Sequence, residues 1–235
     1  MENSSIIKIE NLIKRFPVGK TDFTALKDIN ISFGTGEFAG LVGPSGSGKT
    51  TLLNIIGSLD TPTEGEVSVL GKSVSELTHK QSAKLRNHHI GFIFQTYNLL
   101  PVYTVYENVE FALLLQKMTG SERKKAVLNA LEWVGLIDKI ESKPAMLSGG
   151  ECQRVAIARS MVKRPEIVLA DEPTANLDSN NSHHILQTMK NLNRELKTTF
   201  IFATHDEKVM KYLNRIISLD DGKIMKDEFI TDPKS

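Results

Sequence analysis

Residues Gly43 to Thr50 read Gly-Pro-Ser-Gly-Ser-Gly-Lys-Thr, a spacing of glycines, lysine and hydroxyl suited to gripping a chain of phosphates. Glycine lets the backbone wrap tightly with its N–H groups turned inward, and a helix starting near Gly48 adds the positive end of its dipole. Lys49 then reaches the β and γ phosphates of a nucleotide such as ATP, and Thr50 offers its hydroxyl to Mg²⁺. The predicted contact set is Gly43, Pro44, Ser45, Gly46, Ser47, Gly48, Lys49, Thr50 and Thr51. A mere glycine-rich turn would leave the Gly-Lys-Thr triplet without a reason.

A second reactive pair, Asp171 and Glu172, closes the apolar run that starts at Ile167. Open α/β sheets collect ligands at the carboxyl ends of their strands. Adjacent carboxylates there can divide labour: Asp171 holds Mg²⁺ through its water shell, and Glu172 polarises the water that attacks the γ-phosphate. Taken alone, Asp-Glu-Pro would read as a solvated strand end. The phosphate loop upstream tips the balance.

Leu147 to Arg154 reads Leu-Ser-Gly-Gly-Glu-Cys-Gln-Arg. Ser148 followed three residues later by Glu151 is a capping box, which opens a helix. Ser148, Gly149 and Gly150 can also form a second anion site, because a helix N-terminus leaves backbone N–H groups facing outward. Since the chain's own loop already holds phosphates, the spare site suits a partner's nucleotide.

These groups need elements to position them. Ile29, Ile31 and Phe33 alternate with polar residues, Gly36-Glu37 turns the chain, and Phe38 to Val42 leads as a strand into the loop, with a helix over Thr50 to Gly57 behind it. From about Ser82 to Lys163 the pattern is helical, clearest at Val109 to Lys117, Ser121 to Val134 and Glu151 to Lys163. Ile167 to Ala170 and Phe200 to Ala203 are short and wholly apolar, as parallel strands buried on both faces are, with a helix from about Asn181 to Leu196 between them. Arg215 to Met225 reads as a closing hairpin turned by Asp-Gly.

Composition narrows the function classes. The chain has 235 residues, 40% of them apolar, and a formal net charge of +1, so no basic stripe marks nucleic acid as a partner. Its longest apolar run, Phe111 to Leu115, falls far short of a membrane span. The opening Met-Glu-Asn-Ser-Ser lacks a basic and then apolar leader, and the single cysteine, Cys152, excludes an internal disulfide, so a reducing, cytoplasmic setting is expected. His88-His89 and His183-His184 are read as solvated pairs and not as metal ligands, since sequence neighbours rarely share a face.

Phosphate loop, Leu-Ser-Gly-Gly and Asp-Glu strand occur in the order of the ATP-binding cassette (ABC) family, which the chain resembles over essentially its whole length. The resemblance implies an α/β P-loop NTPase (RecA-like) core with an N-terminal antiparallel β-subdomain and an inserted helical subdomain. It divides one domain into core segments 1–94 and 164–235 and a helical signature lobe at 95–163. It implies that Gln95 contacts Mg²⁺, that His205 contacts the γ-phosphate, that Asn176-Leu177-Asp178 crosses a dimer interface, and that Phe16 stacks on adenine. Core packing is the competing role for Phe16. Glu151-Cys152 departs from the glutamine or other polar residue that many members carry, while the glycine pair is intact.

Further stretches, Gly57 to Asp60, Ile90 to Pro101 and Pro173 to Ser179, resemble the lipoprotein-release and macrolide-export branch. That branch implies an ATP-dependent head-to-tail homodimer, peripheral on the cytoplasmic face of the inner or plasma membrane. Its partner is a permease subunit that carries the transmembrane helices, and its output is lipoprotein release or efflux. Tyr97, Tyr103 and Tyr106, beside Leu99, Leu100 and Val102, could dock that permease or fill the helical lobe's core. Two rivals fit parts of the pattern: a soluble, non-transporting cassette ATPase that acts as a nucleotide-gated binding module, and a phosphate-loop kinase. The first would need long coiled coils or a paired cassette, and the second has no use for Leu-Ser-Gly-Gly.

Overall fold

The computed structural model describes residues 5–230. Residues 1–4, on which the expectation of no leader partly rests, lie outside them. In chain order the elements are β1 (Ser5–Val18), β2 (Thr21–Gly34), β3 (Phe38–Val42), α1 (Lys49–Ile56), β4 (Glu64–Val69), β5 (Lys72–Ser73), α2 (His79–His89), β6 (Ile90–Ile93), α3 (Val105–Glu110), α4 (Gly120–Trp133), α5 (Gly149–Met161), β7 (Ile167–Asp171), α6 (Ser179–Leu196), β8 (Thr199–Thr204), α7 (Glu207–Met210), β9 (Arg215–Asp220) and β10 (Lys223–Phe229). Among the described residues no helix is long and apolar enough to cross a membrane.

The chain divides into two compact units, one running to Arg86 and resuming at Thr199, the other spanning Asn87–Thr198. In the first, β2, β1, β4 and β5 form an antiparallel sheet in that order. The alternation at Ile29, Ile31 and Phe33 buries one face of β2, as the sequence predicts. Beside it, β3 runs parallel to both β8 and β9, and β10 returns antiparallel along β9. Every residue of β3 and β8 is buried, which matches their unbroken apolar runs. The Phe38 ring sits 5.5 Å from that of Phe200 and 4.8 Å from that of Phe202. Asp221 and Gly222 turn the β9–β10 hairpin with φ of 42° and 75°, the doubly left-handed pair of a type I′ turn.

In the second unit β6 and β7 pair in parallel, and α5 buries nine of its thirteen residues, so it is a core helix and not a surface one. Helix α6 is amphipathic, with Ile185, Leu186, Met189, Leu192 and Asn193 on its buried face. Thr104, Thr119 and Ser148 each open a helix with a complete capping box, at α3, α4 and α5.

The helix expected at Val109 to Lys117 is not formed as such. The Thr104–Glu107 box starts α3 four residues earlier, at Val105, the helix ends at Glu110, and a short 3-10 turn covers Phe111–Leu113. Phe111, Leu114 and Leu115 are exposed and Leu113 alone of the run is buried, so this apolar run offers little core face to hold a longer helix in place.

Candidate active site

The first unit carries the phosphate loop. β3 ends at Val42 and α1 begins at Lys49, so the loop is held at both ends by buried elements. Gly46 and Gly48 have φ of 80° and 100°, conformations in which side chains are strained. At Gly48 a Cβ would also lie 2.7 Å from Leu26 Cδ2 and 2.9 Å from the Ala25 carbonyl, and at Gly43 it would lie 2.0 Å from the Leu219 carbonyl. Ser47 donates its amide to the Pro44 carbonyl at 3.3 Å, and its hydroxyl is buried with no hydrogen-bond partner among the described residues.

Lys49 is only 8% exposed, and its Nζ donates to the carbonyls of Gly43 and Pro44, each at 2.8 Å. The ammonium thus lies inside the curve of the loop, where phosphate oxygens can replace or supplement those carbonyls. Helix α1 has no side-chain cap and no acidic residue in its first turn, so nothing of its own neutralises its positive end. Thr50 and Thr51 occupy that turn.

Sequence reasoning missed the support beneath the loop. Gly222 N–H donates to the Ser47 carbonyl at 3.2 Å, and Lys27 N–H donates to the Gly222 carbonyl at 2.8 Å. Lys27 Nζ pairs with Asp221 at 2.6 Å. The hairpin turn is therefore clamped between β2 and the loop, and a Cβ at Gly222 would strike the Ala25 carbonyl at 2.6 Å. His205 follows β8 and is exposed. It lines an open cleft of ≈ 490 Å³ with Gly43, Pro44, Met210, Asp220 and Met225, so this histidine and the loop are brought together. Phe16 is 36% exposed near the end of β1, in register with Phe23, with Lys14 Nζ 4.9 Å from its ring centre.

The second unit carries the remaining candidates. Asp171 is the last residue of β7, and Glu172 follows with φ of 46°, a left-handed conformation that costs a non-glycine residue about 1 kcal/mol or more. The strained turn continues as Ala175 N–H donates to the Glu172 carbonyl at 3.2 Å. Asp178 caps α6 by accepting the Asn181 amide at 2.9 Å, and this bond with one from the Asn181 side chain holds its carboxyl below the ordinary range. Gln95 lies just beyond β6, and its carbonyl accepts from Asn176 Nδ2 at 2.9 Å.

At the head of α5, Ser148 and Glu151 exchange the two bonds of the box. Those bonds hold the Glu151 carboxyl low and leave the amides of Gly149 and Gly150 without an acceptor among the described residues. A Cβ at Gly149 would lie 3.0 Å from the Tyr97 hydroxyl, and one at Gly150 would lie 2.5 Å from Asn181 Oδ1. Side chains at either position would thus have to displace the Tyr97 or Asn181 side chain. Burial raises the Cys152 thiol behind them, which suits packing and not reactivity. Of the clustered tyrosines, Tyr97 and Tyr106 are half-buried and Tyr103 is exposed, and the exposed apolar surface extends through Val102, Phe111, Leu114 and Leu115.

A strand, a glycine loop with an inward lysine, and a helix starting at that lysine define a P-loop NTPase. The profile of the ABC transporter family matches residues 26–175. The chain is 44% identical over 227 residues to an uncharacterised ABC transporter ATP-binding protein, MJ0796, of Methanocaldococcus jannaschii, covering 95% of this chain and 97% of the relative. It is also 44% identical over 223 residues to the lipoprotein-releasing system ATP-binding protein LolD of Francisella tularensis, covering 94% of this chain and 96% of that one. A solved dimeric structure of MJ0796 in a post-hydrolysis state, bound to ADP and Pi, superposes with a TM-score of 0.88 at 43% identity, covering 96% of this chain and 99% of that one. The cbiO1 protein of Clostridium perfringens, part of an ABC transporter complex, superposes with a TM-score of 0.87 at 31% identity, covering 96% and 88%. The chain belongs to the ABC transporter family, as an ATP-binding subunit with ATPase activity.

Proposed function

We propose that this subunit binds Mg-ATP at Gly43 to Thr51 and drives a separate membrane permease in lipoprotein release or export. The observation that carries the reading is the loop itself: glycines in left-handed conformations, a buried lysine turned into the curve of the loop and a helix start without a side-chain cap form a concavity suited to phosphate. The backbone amides and Lys49 bind and orient the phosphates, and Phe16 supplies a face for adenine. Thr50, Gln95 and Asp171 offer a hydroxyl, an amide and a carboxylate, the hard oxygen donors that suit Mg²⁺. Bound there, the ion would neutralise charge on the phosphate oxygens. Glu172 accepts a proton from the attacking water, and His205 steadies the γ-phosphate.

Ser148, Gly149 and Gly150 serve the nucleotide of a second copy, so that two chains close head to tail around ATP, with Asn176-Leu177-Asp178 crossing between them. Residues 95–163 form the lobe that carries this signature, and 1–94 with 164–235 form the nucleotide-binding core. Tighter ATP binding in the closed pair than in the open one supplies the work. The subunit sits peripherally on the cytoplasmic face of the membrane, its docking surface the exposed side chains of Val102, Tyr103, Phe111, Leu114 and Leu115, and nucleic acid is no partner. Glu172→Gln tests the chemistry: ATP binding stays within twofold while steady-state hydrolysis falls about 10²-fold or more. Hydrolysis at the wild-type rate removes Glu172 from the role of base.

A further inference from the structure

Arg159 lies near the end of α5, in a largely apolar stretch from Val155 to Met161 whose one other polar residue is Ser160. Its guanidinium does not meet a carboxylate among the described residues. Instead Nη2 donates to the Tyr97 carbonyl and Nη1 to the Asn98 carbonyl, each at 2.6 Å. Burial pulls this guanidinium below its usual range, and of its two bonds the one to Tyr97 is half-buried and the one to Asn98 exposed.

The two carbonyls belong to an unusual turn. Tyr97 and Asn98 have φ of 58° and 50°, two consecutive left-handed residues without a glycine, a conformation that persists only where surrounding groups impose it. Arg159 supplies such a constraint, because its planar fork fixes the direction of both bonds, whereas a rotatable ammonium can reach two carbonyls without fixing either. Having left the backbone at this turn, the Tyr97 side chain reaches the other end of α5, where its hydroxyl rests 3.0 Å from the point a Cβ on Gly149 would occupy. Leu177 and Asn176 approach the same point at 3.7 and 3.8 Å, and Asn176 also holds the Gln95 carbonyl. One strap, residues 95–98, is thereby fastened to the end of α5 through Arg159 and packs close to its start through Tyr97. Arg159 and Asn98 also line an open groove of ≈ 320 Å³ with Phe92, Phe94, Phe111 and Lys163, so the fastening is within reach of whatever enters that groove.

We propose that Arg159 is a positioning residue for ATP hydrolysis: by locking the Tyr97-Asn98 turn it seats the Tyr97 hydroxyl against Gly149 and fixes the helix start that serves the second nucleotide. The proposal rests on the function proposed for Ser148 to Gly150. It predicts a latch acting through Tyr97, with no direct role in binding ATP.

The test compares Arg159→Lys, Tyr97→Phe, the double variant and Ser148→Arg in the full chain. Arg159→Lys keeps the charge and loses the fork, and Tyr97→Phe keeps the ring and loses the hydroxyl. The expected result is a kcat lowered about fivefold or more in each single variant, with KM for ATP within twofold. The double variant should be no slower than the worse single, because both changes open the same latch. Wild-type kcat in Tyr97→Phe, or losses that multiply in the double variant, would overturn the latch. Should Arg159→Lys fail to fold, Tyr97→Phe alone decides by its kcat. Ser148→Arg separates the two levels: if it hydrolyses ATP normally, the role of the signature falls, whereas if it is inactive while the latch variants match wild type, only the latch falls.

Discussion

Helices α1 and α5 both begin at glycines, yet they treat their exposed amides in opposite ways. Helix α1 has left-handed Gly48 at its cap, no side-chain cap and no acid in its first turn. Its first residue is Lys49, whose charge adds to the positive end instead of cancelling it. Helix α5 opens with Ser148 and Glu151, which satisfy two amides and bring a carboxylate, leaving Gly149 and Gly150. The first start needs an outside anion to be complete, and the second is already half complete. A helix N-terminus therefore becomes a primary phosphate site when the chain withholds its own cap, and a supplementary one when it supplies one.

The sharpest way to break this comparison is to fill the supplementary site. Ser148→Arg should abolish ATP-induced dimers in light scattering and reduce hydrolysis to background, while ATP affinity of the monomer by titration stays within twofold. A dimer that persists with ATP would show that α5 does not serve a second nucleotide.

Removing the charge at the primary site comes next. Lys49→Ala loses charge-assisted bonds to phosphate, each of about 1.5–3 kcal/mol, so ATP affinity should fall roughly 10- to 100-fold. Unchanged affinity by calorimetric titration would count against the loop assignment.

The smallest effect concerns the self-made cap. Glu151 is held below the ordinary carboxylate range by its bonds with Ser148, so its folded value is depressed. Its contribution to stability is fully present above the unfolded value of about 4.3 and is lost as pH falls through the lower folded value. Glu151→Gln should therefore cost about 0.5 kcal/mol by urea unfolding at pH 7. That gap should shrink as pH falls from the unfolded value through the lower folded one, and a gap that widened in acid would reverse the assignment.

Much of this contrast is legible in the residues because it is local. The Gly-Lys-Thr triplet, the Ser148–Glu151 spacing, the Asp171-Glu172 strand end and the Asp-Gly hairpin each declare themselves within eight residues, and each forms where the pattern places it. What escapes is decided by distant packing. The clamp of Gly222 between Lys27 and Ser47 joins segments far apart in the chain, and no periodicity announces it. Exposure of Phe111, Leu114 and Leu115 reverses what an apolar run suggests, and the helix drawn across Val109 to Lys117 is broken at Glu110. One clue was readable: a lone arginine in the buried stretch Val155 to Met161 requires partners, although its choice of two carbonyls does not follow from sequence.

Amide hydrogen exchange with and without Mg-ATP, on Glu172→Gln protein diluted until it is monomeric and again where it dimerises, tests the central claim most directly. Protection of residues 43–51 in the monomer, joined by residues 148–152 only in the dimer, is the predicted result. A nucleotide that leaves residues 43–51 unprotected at both concentrations, or protects the head of α5 first, would contradict it.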